Sequence, residues 1–152
     1  MLKFASGIAL AAALICLPVA GQAPKGPDKA KEAERAKQGY NPVALFDHAE
    51  VRAIRVELKP NANRAIHQHD DVKSHLFIPL SANLKVIIGS AQPVDAPIGQ
   101  VFYIKGGTPH GFRNLASTPG AAIEVFVKDG ASKASLDAVG AIVAGLQAAP
   151  KR

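Results

Sequence analysis

The sequence predicts an all-β jelly roll followed by a C-terminal amphipathic helix, and three observations predict it. Between residues 43 and 130 the chain is a series of short β-branched and apolar runs broken by turn residues. These runs are evenly spaced with no helical period between them, which fits a jelly roll better than a parallel sheet. After Gly130 the apolar residues recur at three and four positions instead. At 152 residues there is room for one domain of this kind and not for two.

The strands follow in order. Residues 50–58 alternate, with Ile54, Val56 and Leu58 on one face and Arg55, Glu57 and Lys59 on the other. Pro60-Asn61-Ala62-Asn63 is a turn, residues 66–69 begin a second strand, 76–80 form a third and 84–88 a fourth. Residues 89–99 hold two prolines and two glycines and are expected to be a connection. Residues 100–104, 110–114 and 122–128 complete the set, with a tight turn at Gly106-Gly107-Thr108-Pro109. The helix is expected over 131–152, with Leu136, Val139, Ile142, Val143 and Leu146 as its stripe and Ser132 or Ser135 as its N-cap. That stripe would lie against the barrel or against a second copy in a homodimer. Its polar face holds too few basic residues for a membrane-surface helix.

The other end of the chain carries different signals. Met1-Leu2-Lys3 is a short positive start, Phe4 onward to Ala20 is almost wholly apolar or small, and small residues follow. Residues 1–23 therefore form a signal peptide, too short and wrongly flanked for a stable spanning helix, with cleavage expected between Gln22 and Pro24. The protein is expected to be exported, periplasmic or secreted. Cleavage removes Cys16, the only cysteine, which excludes a disulfide, a thiol nucleophile and a zinc–thiolate site. Residues 24–42 are a polar leader of helix-forming composition with no apolar face, expected to be a solvated tether.

The formal net charge is +6, and removing Lys3 lowers it by one. Lysines and arginines are scattered, except over 25–37, where Asp28, Glu32 and Glu34 intervene. With few aromatics for stacking and no binding motif, nucleic acid is not an expected partner.

Chemistry concentrates in the histidines. His67, His69 and His75 share one segment and His110 stands in another. Alternate residues of a strand point to one side, so His67 and His69 can reach one ion without bending the backbone. Imidazole is a common ligand for zinc, copper, iron and nickel. No phosphate-binding glycine loop and no G-x-S-x-G elbow is present, and Glu57 and Glu124 stand as isolated strand residues.

The run from Gly99 through Lys105-Gly106-Gly107-Thr108-Pro109-His110 to Asn114 resembles the second motif of the cupin superfamily. Gly99, Gly107, His110 and Asn114 match it, and Lys105 replaces the usual proline. The first motif is degraded: His67 and His69 match its His-x-His pair, Asn61 stands for its first glycine and Ala82 for its last. Asn61 is a mild change, since Asn tolerates the left-handed region. No acidic residue occupies the family's glutamate position after His69; laying 76–82 on the family's third strand puts His75 there.

This resemblance implies a small single-domain cupin, a double-stranded jelly-roll barrel over residues 43–130. It implies one divalent transition metal (Fe, Mn, Zn, Ni or Cu) on His67, His69, His75 and His110. Four neutral ligands would keep the ion's full charge and favour small anionic substrates. The competing orientation places Ser74, Leu76, Ile78 and Leu80 on the inner face and His75 outside. Asp70 and Asp71 could accept from the ligands or remain solvated. Asn114 shares the inward parity of His110 and could lie near the site. Tyr103 is a packing residue or an outer donor, and Arg52 offers charge at the barrel mouth or sits at an exposed strand end. The resemblance leaves three functions open: a dioxygenase-like enzyme, a non-catalytic metal or small-ligand binder, and a metal-dependent isomerase or lyase.

Overall fold

A computed structural model of the chain describes residues 28–148. The signal-peptide expectation, Cys16 and the last four residues of the predicted helix lie outside that range. The elements are α1 (Lys29–Gln38), β1 (Tyr40–Asp47), β2 (Val51–Leu58), β3 (Asn63–His67), β4 (Val72–Pro79), β5 (Leu84–Ile88), β6 (Val94–Ala96), β7 (Phe102–Lys105), β8 (His110–Asn114), β9 (Gly120–Lys128) and α2 (Lys133–Ala148). Two antiparallel sheets result, ordered β1-β2-β9-β4-β7 and β3-β8-β5-β6. The expected all-β jelly roll with a C-terminal helix is therefore the observed architecture.

The core lies between the sheets. Val56, Leu58, Phe77, Leu84, Val86, Ile104, Phe112 and Ala122 are buried together, and Phe77 stacks on Phe112 with centroids 4.8 Å apart. These residues hold one parity on each strand, as a half-buried pleat requires. The central strands β4 and β9 are covered on both faces: Leu76 and Val127 are as buried as Phe77 and Phe126.

Several expectations need correction. Within the leader, residues 29–38 form a capped helix, where a solvated tether was expected. The Asp28 carboxylate accepts from the N–H groups of Ala30 and Lys31, and Gly39 closes α1 in the left-handed conformation at φ 73°. No residue of α1 is buried, so its capping and the Gln38 side chain hold it. Gln38 Oε1 accepts from Ala65 N at 2.9 Å. The strands begin at Tyr40, three residues before the expected start, because Tyr40 packs on the core beneath the Arg64 guanidinium. The 89–99 connection contains the short strand β6, paired with β5 from Leu84↔Ala96 to Val86↔Val94. Ser132 caps α2, accepting from Ser135 N at 3.3 Å, and Leu136, Val139 and Val143 are half-buried as the stripe requires. No helix among the described residues is long and apolar enough to cross a membrane.

Candidate metal centre

Irregular pairing at two places aims the histidines. On β3 the register with β8 shifts between Arg64 and His67, leaving His67 directly opposite His110. On β4 the register with β9 shifts between Val72 and Ser74, just before His75. Bulges of this sort re-aim side chains beside sites. Through the second one His75 takes the inner parity, shared with Phe77, and is only 1 % exposed. The competing orientation fails for a simple reason: β4 is buried on both faces, and the inner one holds His75 and Phe77 rather than Leu76.

His69 corrects the strand-pair argument, because β3 ends at His67 and His69 stands in the following loop. A tie to the second motif holds it there: Gly107 N donates to His69 O at 2.8 Å. Gly107 has φ 72°, and a Cβ on Gly106 would strike the Val72 carbonyl, so this turn needs both glycines. Asn61 has φ 57°, the left-handed region that Asn tolerates.

The four rings converge. Centroid separations are 4.5 Å for His67–His110, 5.0 Å for His67–His69, 5.4 Å for His69–His110, 4.7 Å for His75–His110 and 5.5 Å for His69–His75. Backbone carbonyls fix two tautomers. His67 Nδ1 donates to Ala65 O at 2.9 Å and His110 Nδ1 to Thr108 O at 2.8 Å, which makes each Nε2 an acceptor; that of His110 lies 3.0 Å from His75 Nδ1. Donor atoms of His67, His69 and His110 lie within 4.8 Å of one another.

A second triad within the same limit is His75, His110 and Glu124, all three buried. Glu124 corrects the all-neutral site: a carboxylate is present, on β9 rather than after His69, and it is 5 % exposed. Its Oε1 lies 3.3 Å from His75 Nε2. The two are close enough to attract, yet they are not aligned as a hydrogen bond, and both atoms, like His69 Nε2, have no hydrogen-bond partner among the described residues. Buried polar atoms without partners are uncommon and call for an ion, water or function. An imidazole set with one carboxylate suits a divalent first-row metal, so these residues fit one.

The electrostatics agree. Burial, opposed in part by the Ala65 hydrogen bond, holds the His67 imidazole down at about 4. Burial and then the His75 and His110 rings hold His69 at about 4 as well. Burial also lowers His110. For Glu124, burial alone would push the carboxyl up, but the contact with His75 and the fields of His67 and His110 outweigh it and hold it down. Neutral imidazoles and an ionised carboxylate are the forms a cation requires.

The neighbours sort plainly. Phe126 stacks on His75 at 4.5 Å and 11°, and meets His69 edge-on at 4.9 Å. Arg52 is half-buried on the adjoining strand with its guanidinium 4.4 Å from the Phe126 centroid, not at an exposed strand end. Its Nε is buried without a partner. Asn114 does not join the site: its amide donates to Lys59 O and Thr118 O and accepts from Ala116 N. Tyr103 is 62 % exposed, and so neither packs nor donates inward. Asp70 and Asp71 are exposed, with Asp70 spent on Gln68. A cavity of about 870 Å³ lies instead beside α1, β1 and β2, lined by Arg35, Arg55 and Glu57, and holds none of the histidines.

Glu124 had a legible signal. It interrupts a run in which both parities are apolar, Ala121-Ala122-Ile123 before it and Val125-Phe126-Val127 after it. A strand of that kind is buried on both faces, so a charge within it is buried whichever way it points.

No family model matches the chain, and no curated protein matches it. Solved structures do. Oxalate oxidase in complex with the substrate analogue glycolate is 18 % identical with a TM-score of 0.54, covering 60 % of this chain and 52 % of that one. An RmlC-like cupin protein from Desulfovibrio desulfuricans is 18 % identical with a TM-score of 0.53, over 60 % and 84 % of the two chains. The DMSP lyase DddQ from Ruegeria pomeroyi is 16 % identical with a TM-score of 0.52, over 61 % and 49 %. The two antiparallel sheets and these likenesses together establish that the chain has the fold of the cupin superfamily.

Proposed function

We propose that the protein is an exported metal-dependent cupin that acts on a small anionic molecule, with oxygenase chemistry as its reaction class. The observation that carries the metal reading is the convergence of the His67 and His110 Nε2 atoms, each made an acceptor by a backbone hydrogen bond on Nδ1, beside the His69 Nε2 that has no partner among the described residues. A divalent ion held by these residues supplies Lewis-acid polarisation of a bound anionic group and, where it is redox-active, electrons to dioxygen.

The chain's own residues supply the rest. Phe126, buried and stacked on His75, covers the deep side and keeps water from it. Arg52, stacked on Phe126 with its Nε unpartnered, offers a charge for the anionic group. The export reading rests on residues 1–23 and is tested by the mass of the exported chain.

The deciding experiment is elemental analysis of protein recovered from its exported compartment, followed by oxygen uptake with small carboxylates such as glycolate and oxalate. About one first-row metal per chain and carboxylate-dependent uptake are expected. Absence of metal ends the metal reading. Metal without turnover of any carboxylate leaves a binding module.

A further inference from the structure

The deep triad poses a question of lone pairs. His110 Nδ1 donates to Thr108 O, so its Nε2 is its only donor atom for an ion. That atom belongs both to the His67–His69–His110 set and to the His75–His110–Glu124 set. One lone pair serves one ion, so the two triads cannot be two separate metal sites. They are parts of a single arrangement, and His75 connects them.

His75 touches its neighbours with both nitrogens. Nδ1 lies 3.0 Å from His110 Nε2, and Nε2 lies 3.3 Å from Glu124 Oε1. A neutral ring that gives its one N–H to His110 turns an Nε2 lone pair toward the Glu124 carboxylate. The other tautomer turns an Nδ1 lone pair toward the His110 lone pair. Either way two acceptors face each other, and in a buried pocket such a clash is costly. A cation on the Nδ1 side removes it: both lone pairs turn to the ion, and the Nε2–H is left to donate to Glu124.

We propose that Glu124 is the positioning residue of this centre: it accepts the Nε2–H of His75, fixing Nδ1 as the atom His75 offers to the ion, and its charge offsets part of the ion's. His75 is thereby a fourth donor, through the opposite ring nitrogen from His67 and His110. Carboxylate–histidine–metal chains of this form orient ligands in many metal sites. The rigid surroundings suit the role. Phe126 stacks flat on His75, Glu124 is 5 % exposed, and no other side chain among the described residues bonds its Oε1. This inference rests on the proposed metal reading.

Two measurements test it. Cobalt(II) is titrated into chelator-stripped full-length mature protein, wild type, Glu124→Gln and Glu124→Leu. Gln keeps an acceptor and loses the charge, so affinity should fall by less than about 10-fold; Leu removes both, and the fall should approach the about 10-fold expected of losing His75 itself. Thermal melts of the stripped proteins establish that each variant is folded. The second measurement needs no variant: nitrogen-15 NMR of zinc-loaded wild type should show His75 protonated on Nε2, with His67 and His110 protonated on Nδ1. Wild-type affinity in Glu124→Leu, or a His75 Nδ1–H in the loaded protein, overturns the role of Glu124 and leaves the three-histidine site standing. Failure of wild type to bind cobalt or zinc overturns both readings together.

Discussion

The two ends of the barrel bury polar side chains equally and treat them oppositely. At one end Asn114 is 1 % exposed and every polar atom of its amide is bonded to backbone. At the other, His75 is 1 % exposed, His110 2 % and Glu124 5 %, yet His69 Nε2, His75 Nε2 and Glu124 Oε1 lack partners among the described residues. Burial alone therefore does not separate a structural polar residue from a functional one. What separates them is whether the hydrogen bonds are spent. Asn114 spends its own on the 59–63 and 114–118 turns, whereas the histidine end keeps donor atoms in reserve.

Breaking this comparison should give opposite outcomes at the two ends. The largest effect is expected from His67→Ala or His110→Ala, which should weaken metal binding by about 100-fold or more, beyond what outer contacts commonly cost. Metal titration checks it, and urea melts of the stripped variants should remain cooperative. Next is Asn114→Ala, which strands the Thr118 carbonyl and the Ala116 N–H and removes one of the two donors to Lys59 O. It should destabilise the fold by about 2 kcal/mol or more while leaving metal affinity unchanged, read from denaturant midpoints and the same titration. His75→Ala comes third, at about 10-fold in affinity. His75→Glu sharpens the point, since it sets a second carboxylate against Glu124 and should destabilise the stripped protein.

The remaining effect is in pH. His67 and His69 are held at about 4 when folded, below the 6.5 of a free imidazole. Between those values the unfolded chain binds more protons, so folding stability rises with pH. Stability of the stripped protein is thus full above about 6.5 and declines as the pH falls toward 4. Denaturant midpoints at pH 7.5, 5.5 and 4.5 should show the decline, and bound metal should reduce it by excluding protons.

Much of this was readable without coordinates. The 110–114 strand and the 84–88 strand appear with the predicted bounds because Gly107, Pro109 and Gly89 punctuate them chemically. The histidines came from spacing and the second motif. Three things escaped. The inner parity of β4 depends on a bulge between Val72 and Ser74, which alternation cannot reveal, since Ser74 and Leu76 give the wrong face a plausible pattern. The pairing of Glu124 with His75 is a contact between residues 49 apart in sequence, made by strand order rather than by any local rule. The roles of Asn114 and Arg52 depend on what the backbone and Phe126 place beside them, which parity does not specify.

The helix α1 has a consequence for the chain's behaviour in a crowded compartment. β3 is an outer strand of its sheet, and such strands can recruit a neighbour's backbone and begin an aggregate. Here Gln38 takes up the Ala65 N–H, and Arg64 Nη1 reaches the same oxygen at 3.4 Å, so a side chain occupies a rung that a foreign strand would otherwise use. A leader with nothing buried thus guards against self-association. Proteolytic trimming of 28–38 would leave the metal donors intact and expose that rung, so the damage would appear as light scattering on storage rather than as lost metal.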